Sequence, residues 1–282
     1  HLSSCSSAPH TQLPIIYLHS IDPFIMSGKP TLVFVHGSWH HTDTWNKIAP
    51  LLEAQQYKCI RVALPTGASD PSQGLPEDVK AVRDAIVAET SGGRNVVVVV
   101  HSYGGLVGSS AIKGLTQDKQ DGISPAKSAS GHVIGLVMIS TGFAQTGLSF
   151  LDGIGGTPPP TFVLNSQTGF VDLVADARQL FYHDLPVEEG DYWVTRLTKQ
   201  SMRALVEGEA VYSGWKDTPV WYLATRQDQA LPFEVQKMFV QSAKEAGGDI
   251  TLREIESSHS PFLSKPKETV DFILEAVKAF EG

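Results

Sequence analysis

The stretch that decides the fold covers residues 96–105 and reads Val-Val-Val-Val-Val-His-Ser-Tyr-Gly-Gly. The run of valines predicts a central strand buried on both faces, because a strand with one wet side would alternate apolar and polar residues. Ser102 and two glycines follow at once, which predicts a sharp turn from the strand into a helix. Ligand crevices of open α/β sheets lie beyond the carboxyl ends of such strands, so we expect chemistry at Ser102.

From residue 30 onward, short β-branched runs alternate with amphipathic helical patterns. This alternation predicts an α/β fold with a mainly parallel central β-sheet flanked by helices. A helix is predicted over residues 76–90, and Ser264 is predicted to cap a final helix. The predicted strands are residues 31–35, 59–64, 95–101, 132–140, 219–225 and 250–255.

The alternation stops between residues 147 and 216, where a Gly/Pro-rich stretch leads into an aromatic-rich segment. We therefore predict a small helical cap over residues 147–216, inserted after the sixth strand, and a core formed by residues 30–146 and 217–282. Residues 1–29 are predicted to form an N-terminal tail with a candidate edge strand. The polar residues 116–131 are predicted to form a surface loop.

The composition limits the class of protein. Apolar residues make up 41 % of the chain and charged residues 18 %, as expected for a soluble globular protein. A net charge of −8 without any run of lysine or arginine argues against nucleic acid and membrane partners. Cys5 and Cys59 are too few for a disulfide framework. A cytoplasmic location is favoured, although a chain that begins at His1 is also compatible with a cleaved secretion signal; a homodimer stays open.

A serine hydroxyl becomes a nucleophile only when a base takes its proton. His259 is the candidate base because it lies in the loop after the last strand, at the same sheet edge as Ser102. Asp228 is the candidate acid, since it follows the strand at 219–225 and gives the order serine, acid, histidine. The alternatives are that Ser102 and Asp228 merely cap helices and that His259 lies in a solvated loop.

Residues 34–40 close the first strand with Phe-Val-His-Gly-Ser-Trp-His. The backbone N–H groups of Ser38 and Tyr103 are predicted to form an oxyanion hole. His36, His40 and His41 form a cluster without a nearby carboxylate or cysteine, so no metal site is expected, and His36 is expected to order the loop by hydrogen bonding.

Together these motifs resemble the α/β-hydrolase superfamily. They are most similar to the branch that holds plant methylesterases, hydroxynitrile lyases and their microbial, often fungal, esterase-like relatives. The resemblance runs from about residue 30 to the C-terminus and includes the cap phrase Phe-Tyr-His-Asp-Leu-Pro at residues 181–186. Val100 departs from the pattern, because the motif has a small residue two places before the serine. The resemblance implies cofactor-free catalysis on small esters or lactones under a helical cap.

We therefore predict a serine hydrolase that cleaves an ester, thioester or lactone bond of a small, largely apolar substrate through an acyl-enzyme. Hydroxynitrile lyases share the triad but typically carry lysine after the histidine and threonine after the upstream histidine, where this chain has Ser260 and Gly37. A hydrolase-like small-molecule receptor is a further alternative. Aromatic residues of the cap, Phe162, Phe170 and Tyr212 among them, could line an apolar cavity. The candidate substrate-binding residues are Trp39, Phe143, Phe181, Tyr182, Trp193 and Trp215.

Overall fold

A computed structural model describes residues 28–117 and 131–282 of the chain. Residues 1–27, with the predicted tail and candidate edge strand, lie outside the described residues, as does most of the predicted loop at 116–131. In the part of the chain that is described, no helix is both long and apolar enough to cross a membrane.

Six of the described strands form one parallel sheet. In chain order they are β1 (Thr31–Val35), β2 (Cys59–Val62), β3 (Val96–His101), β4 (Val133–Ile139), β8 (Val220–Thr225) and β9 (Ile250–Ile255). Their spatial order is β2-β1-β3-β4-β8-β9, and every neighbouring pair is parallel. The valine strand β3 therefore lies in the interior of the sheet.

Successive residues of the central strands belong to two separate apolar clusters. Val98 and Val100 pack into one cluster, whereas Val97 and Val99 pack into the other. Side chains alternate across a strand, so the two clusters are the two faces of the sheet, and each face is covered by helices. This explains why the strand contains valine at every position rather than at every second one.

Helices flank the sheet on both faces. Those of the core are α1 (Ala49–Glu53), α2 (Leu75–Ser91), α3 (Gly104–Ala111), α8 (Phe233–Glu245), α9 (Pro261–Ser264) and α10 (Pro266–Glu281). The α2 helix buries Val82 and Ile86 against one face, and α10 buries Ile273 and Val277 against the other. Both contacts follow the helical spacing of their apolar residues.

The predicted α/β fold class is confirmed. The strand bounds at β1 and β9 match the prediction, and β2 ends two residues earlier than expected. The predicted cap at Ser264 is wrong: this residue ends α9, its hydroxyl bonds that of Ser257, and Lys265 precedes the first residue of α10. Pro266 begins the helix at its first turn, where the missing N–H costs nothing.

The segment between β4 and β8 contains both helices and strands. Its helices are α4 (Phe150–Gly153), α5 (Ala177–Tyr182), α6 (Val187–Thr195) and α7 (Arg203–Val206), and its strands are β5 (Phe162–Asn165), β6 (Phe170–Leu173) and β7 (Gln200–Ser201).

The three strands of this segment form an antiparallel sheet in the order β5-β6-β7. The predicted helices are present in the insertion, and it also contains strands that the sequence did not predict, because a hairpin turn at Gly169, with φ +75°, pairs β5 with β6. Within the described residues, β1 to β4 are the strands of the central sheet that precede the insertion. The predicted position after the sixth strand also counts residues 1–27, which lie outside the described residues.

Candidate active site

Four strands of the sheet end at one edge, and each delivers a candidate residue. The loop with Ser38 follows β1, Ser102 follows β3, Asp228 follows β8 and His259 follows β9. Parallel strands present their carboxyl ends at a common edge, so the order of elements in the sequence brings these residues together. Ser38, Ser102 and His259 line the same cavity.

Ser102 adopts a left-handed backbone conformation with φ +52°, which is unusual for a residue other than glycine. The turn is crowded. A Cβ atom at Gly104 would lie 2.4 Å from the Val35 carbonyl oxygen, and one at Gly105 would lie 2.1 Å from Thr141 Oγ1. Both positions therefore require glycine, and the strained turn lifts Ser102 to the cavity wall.

Val100 stands where the turn motif has a small residue, and Gly108 on α3 makes room for it. A Cβ atom at Gly108 would lie 2.4 Å from Val100 Cγ1. The motif normally makes this space with a small residue on the strand. Here the missing side chain of Gly108 on α3 makes the space instead. The departure noted in the sequence leaves the turn intact.

Asp228 and His259 form a buried hydrogen-bonded pair. His259 Nδ1 lies 2.7 Å from Asp228 Oδ2, and the two residues are 2 % and 7 % exposed. A carboxylate can only accept at this contact, so Nδ1 carries a proton, and in the neutral imidazole Nε2 is the nitrogen that can accept one. This is the tautomer that a general base requires.

The two oxygens of Asp228 have different partners. Oδ1 accepts hydrogen bonds from the N–H groups of Ala230 and Leu231, both at 2.8 Å. Oδ2 accepts from His259 and also from Thr225 Oγ1 at 2.7 Å and Gln236 Nε2 at 3.2 Å. Asp228 therefore orders its own loop and binds the imidazole as well. It does not cap α8, because the N-cap of that helix is Pro232 and no side chain accepts a hydrogen bond there.

Both residues that are predicted to supply the oxyanion donors lie at the cavity. Ser38 and Tyr103 are among its lining residues, and their N–H groups donate no hydrogen bond to any described residue. A buried N–H without a partner is rare in proteins, so two of them at one wall leave a ready site for a negatively charged oxygen.

Histidines that lie beneath the cavity are neutral. Burial lowers the pKa of His36 to about 4 and that of His40 to about 3, and it holds the pKa of His101 well below its usual value. His36 donates from Nδ1 to the Gly37 carbonyl and accepts at Nε2 from the N–H of Leu64, so it orders the loop as expected.

His40 donates from Nδ1 to the Ser38 carbonyl at 2.7 Å and accepts at Nε2 from the hydroxyl of Tyr182. His101 donates from Nε2 to the carbonyl oxygen of His259 at 2.9 Å, which ties the histidine loop to the strand that carries Ser102. Within residues 28–117 and 131–282, no cluster of His, Cys, Asp and Glu side chains has the arrangement of a metal site.

The cavity has a volume of about 690 Å³ and an apolar wall. No Asp, Glu, Lys or Arg side chain occurs among its described lining residues, so His259 and Tyr103 are the titratable groups there. Leu148, Ile154 and Met238 line the cavity and are also well exposed, which places them at its mouth. Such a space accommodates an uncharged molecule of moderate size.

Three of the candidate substrate-binding residues, Trp39, Phe143 and Phe181, line the cavity. The other three do not, and these assignments are corrected. Tyr182 is 1 % exposed and bonded to His40, whereas Trp193, on α6 of the insertion, is buried in the apolar cluster of one sheet face and donates to Glu189. The indole of Trp215 donates to the Ala144 carbonyl and packs edge-on against Phe143, so it supports the wall from behind.

Sequence reasoning missed several polar residues that hold the site. On the core, Thr225 and Gln236 support Asp228. On the cap, Asp184 accepts hydrogen bonds from the N–H and hydroxyl groups of the histidine loop, at Ser258 and Ser257 respectively. Asp184 lies in the quoted cap phrase at residues 181–186, which was the one signal that could have found it.

Comparison with known proteins identifies the class. The profile of the Alpha/beta hydrolase family matches residues 32–272, so the chain belongs to this family. It is 28 % identical over 251 residues to Alpha/beta hydrolase nvfD of Aspergillus novofumigatus, covering 88 % of this chain and 96 % of that protein.

The chain is also 22 % identical over 279 residues to Methylesterase 1 of Arabidopsis thaliana, covering 89 % and 97 % of the two chains. Polyneuridine aldehyde esterase superposes with a TM-score of 0.66 at 19 % identity, covering 88 % of this chain and 98 % of that one. The resemblance drawn from the motifs is thus confirmed, and membership of the family indicates hydrolase activity in general terms.

Proposed function

We propose that the protein is a serine hydrolase that cleaves the ester, thioester or lactone bond of an uncharged, largely apolar substrate. The proposal depends above all on the hydrogen bond between His259 Nδ1 and Asp228 Oδ2, at a wall that also holds the strained Ser102. Nothing in this arrangement needs a cofactor, since a base, a nucleophile and two backbone donors are all that acyl transfer requires.

In the proposed reaction, His259 Nε2 takes the proton of Ser102 as Oγ attacks the carbonyl carbon. Asp228 stabilises the imidazolium that forms, and the carbonyl oxygen becomes an anion that faces the N–H groups of Ser38 and Tyr103. Collapse of this intermediate expels the alcohol or thiol, which receives the proton from His259, and leaves an acyl group on Ser102. Water, activated by the same histidine, then releases the acid.

A lyase that releases cyanide would need a cation for the leaving anion. The position after His259 is Ser260, which is fully buried and whose hydroxyl has no partner among the described residues. With no lysine or arginine in the described lining, cyanide would form without a charge partner. Ester cleavage has no such need, because its charge develops on the oxygen that faces the two amides.

The test compares wild-type protein with Ser102→Ala on short p-nitrophenyl esters and on mandelonitrile. We expect ester hydrolysis by the wild type, a loss of roughly 10⁴ to 10⁶ in kcat for the variant, and no enzymatic cyanide release. A serine-directed phosphonate should label the wild type and leave the variant unlabelled. The melting temperature should stay close to that of the wild type, because the Ser102 side chain lies at the cavity wall and contributes little to the core.

Retention of more than a few per cent of the rate by Ser102→Ala would contradict the mechanism. Efficient cleavage of mandelonitrile without ester turnover would favour the lyase. Inactivity on both substrates, together with tight binding of a small apolar ligand, would favour the receptor.

A further inference from the structure

One short piece of the cap, residues 198–200, contacts the supports of both backbone donors of the proposed oxyanion hole. Its first contact is with the loop that carries Ser38. The N–H of Thr198 donates to the Trp39 carbonyl at 2.6 Å, and Thr198 Oγ1 donates to the His40 carbonyl at 3.2 Å. Both acceptors lie within two residues of the Ser38 donor.

This loop needs outside support because of its backbone. Trp39 has φ +60°, the left-handed region that a bulky side chain rarely adopts. Such a conformation persists only when its surroundings hold it. Contacts from the cap stabilise this conformation, since the indole of Trp39 also donates to the Val171 carbonyl on β6 at 3.0 Å.

The second contact leads to Tyr103 through a chain of buried hydrogen bonds. Gln200 Nε2 donates to Thr66 Oγ1 at 3.0 Å, and Thr66 Oγ1 donates to Asp78 Oδ2 at 2.6 Å. The hydroxyl of Tyr103 donates to the same oxygen at 2.8 Å. Gln200, Thr66 and Asp78 are at most 2 % exposed, so water does not compete for these contacts.

We propose that Thr198 and Gln200 are positioning residues that set the two oxyanion donors, so that the cap completes the catalytic site as well as covering it. The inference rests on the proposed serine-hydrolase function. Stabilisation of an oxyanion depends on donors fixed at hydrogen-bonding distance before the reaction, and small displacements are costly. Loss of the two cap contacts should therefore slow the chemical step more than it weakens substrate binding.

The test uses Thr198→Val, Gln200→Met and the double variant. We expect kcat on a short p-nitrophenyl ester to fall about three- to tenfold for each single change and about 30- to 100-fold for the double change. KM should change by less than about threefold, because neither side chain lines the cavity. Thr198→Ser keeps the hydroxyl and should retain a kcat close to that of the wild type.

A trifluoromethyl ketone gives a readout that a general packing defect would not imitate. Ser102 Oγ adds to its carbonyl carbon, the serine proton passes to His259, and the carbonyl oxygen becomes the bound oxyanion. Its affinity should fall in step with kcat/KM across the variants. The matching methyl ketone, which does not form the adduct appreciably, should bind all of them equally.

Thr195→Val and Gln167→Met are the matched controls, since both residues are exposed on the same cap. Both should keep the wild-type kcat. The inference is wrong if the double variant keeps kcat within about twofold, or if the two ketones lose affinity equally. Neither result would contradict the proposed function. That proposal is wrong if Ser102→Ala stays active.

Discussion

Each end of α2 carries a buried carboxylate, and the two carboxylates differ in their hydrogen-bonding partners and in their pKa. Glu89, near the C-terminus of the helix, lies at the edge of the sheet where the strands begin. It accepts hydrogen bonds from Lys58 at 2.9 Å, Arg94 at 2.5 Å and Thr31 at 2.7 Å. These partners hold the pKa of Glu89 at about 2, in spite of its burial.

Asp78, near the N-terminus of the same helix, lies at the edge where the strands end and the site is built. Its partners are the N–H and hydroxyl groups of Thr66 and the hydroxyl of Tyr103, and no described cation forms an ion pair with it. Burial raises its pKa to about 6. The contrast is therefore between a carboxylate that is paired with cations where the strands start and one that has only uncharged donors where they end.

The largest expected effect is on kcat, and it distinguishes an acid after β8 from an acid before it. Asp228→Asn should lower kcat by about 10³- to 10⁴-fold, because an amide that donates to His259 favours the wrong tautomer. Asp217→Asn, which changes an acid before the same strand, should keep kcat within about twofold. Steady-state kinetics with a p-nitrophenyl ester measure both, and an equal loss in the two variants would break the comparison between the edges.

The next effect concerns stability at the opposite edge. At neutral pH, Glu89→Gln should lower the free energy of unfolding by about 3 kcal/mol, because it removes the buried carboxylate that accepts from Lys58, Arg94 and Thr31. Since the folded pKa is lowered, this stabilisation is present above about pH 4.5 and is lost as the pH falls toward 2. Urea unfolding measures the loss, and kcat should be unchanged.

Asp84→Asn is the control on the same helix. Its ion pair with Lys80 is exposed, so its removal should change stability by less than about 0.5 kcal/mol. A Glu89→Gln variant that unfolds like the wild type but loses activity would contradict the separation of roles.

The smallest expected effect is the change with pH in the free energy of unfolding that Asp78 causes. In the folded chain this carboxyl keeps its proton up to about pH 6, whereas in the unfolded chain it loses it near 3.8. The stability of the wild type relative to Asp78→Asn should therefore fall by about 2 kcal/mol between about pH 4 and about pH 6.5. Urea unfolding across this range measures the slope; a constant difference would mean that Asp78 titrates normally.

The sequence predicted the sheet well because its strands are buried runs with few alternatives. The valine strand could only be central, and Ser102, Asp228 and His259 each follow a predicted strand, so one topological rule places them at one edge. The antiparallel strands of the cap were missed. Each has at most four residues, and their pairing depends on a turn at Gly169 rather than on a strong local pattern.

The polar supports of the site could not be predicted in the same way. Asp78 and Gln200 are separated from Tyr103 by 25 and 97 positions in the sequence, and only packing brings them into one chain of hydrogen bonds. The aromatic residues of the cap pose a related problem. Trp193 and Trp215 were assigned to the cavity by residue type, but residue type does not say which side of a wall an indole occupies.

A cavity wall without formal charge restricts how the protein can choose among molecules. Apolar walls distinguish homologues that differ by one methylene by only about 1–3 kcal/mol, whereas a buried hydrogen-bonding partner rejects mismatched analogues far more strongly. In this cavity, apolar side chains such as Phe143 and Phe181 define the shape, and uncharged polar side chains such as Gln145 and Thr161 line it with them. One exchange among the apolar wall residues would reshape this space without removing a charged side chain.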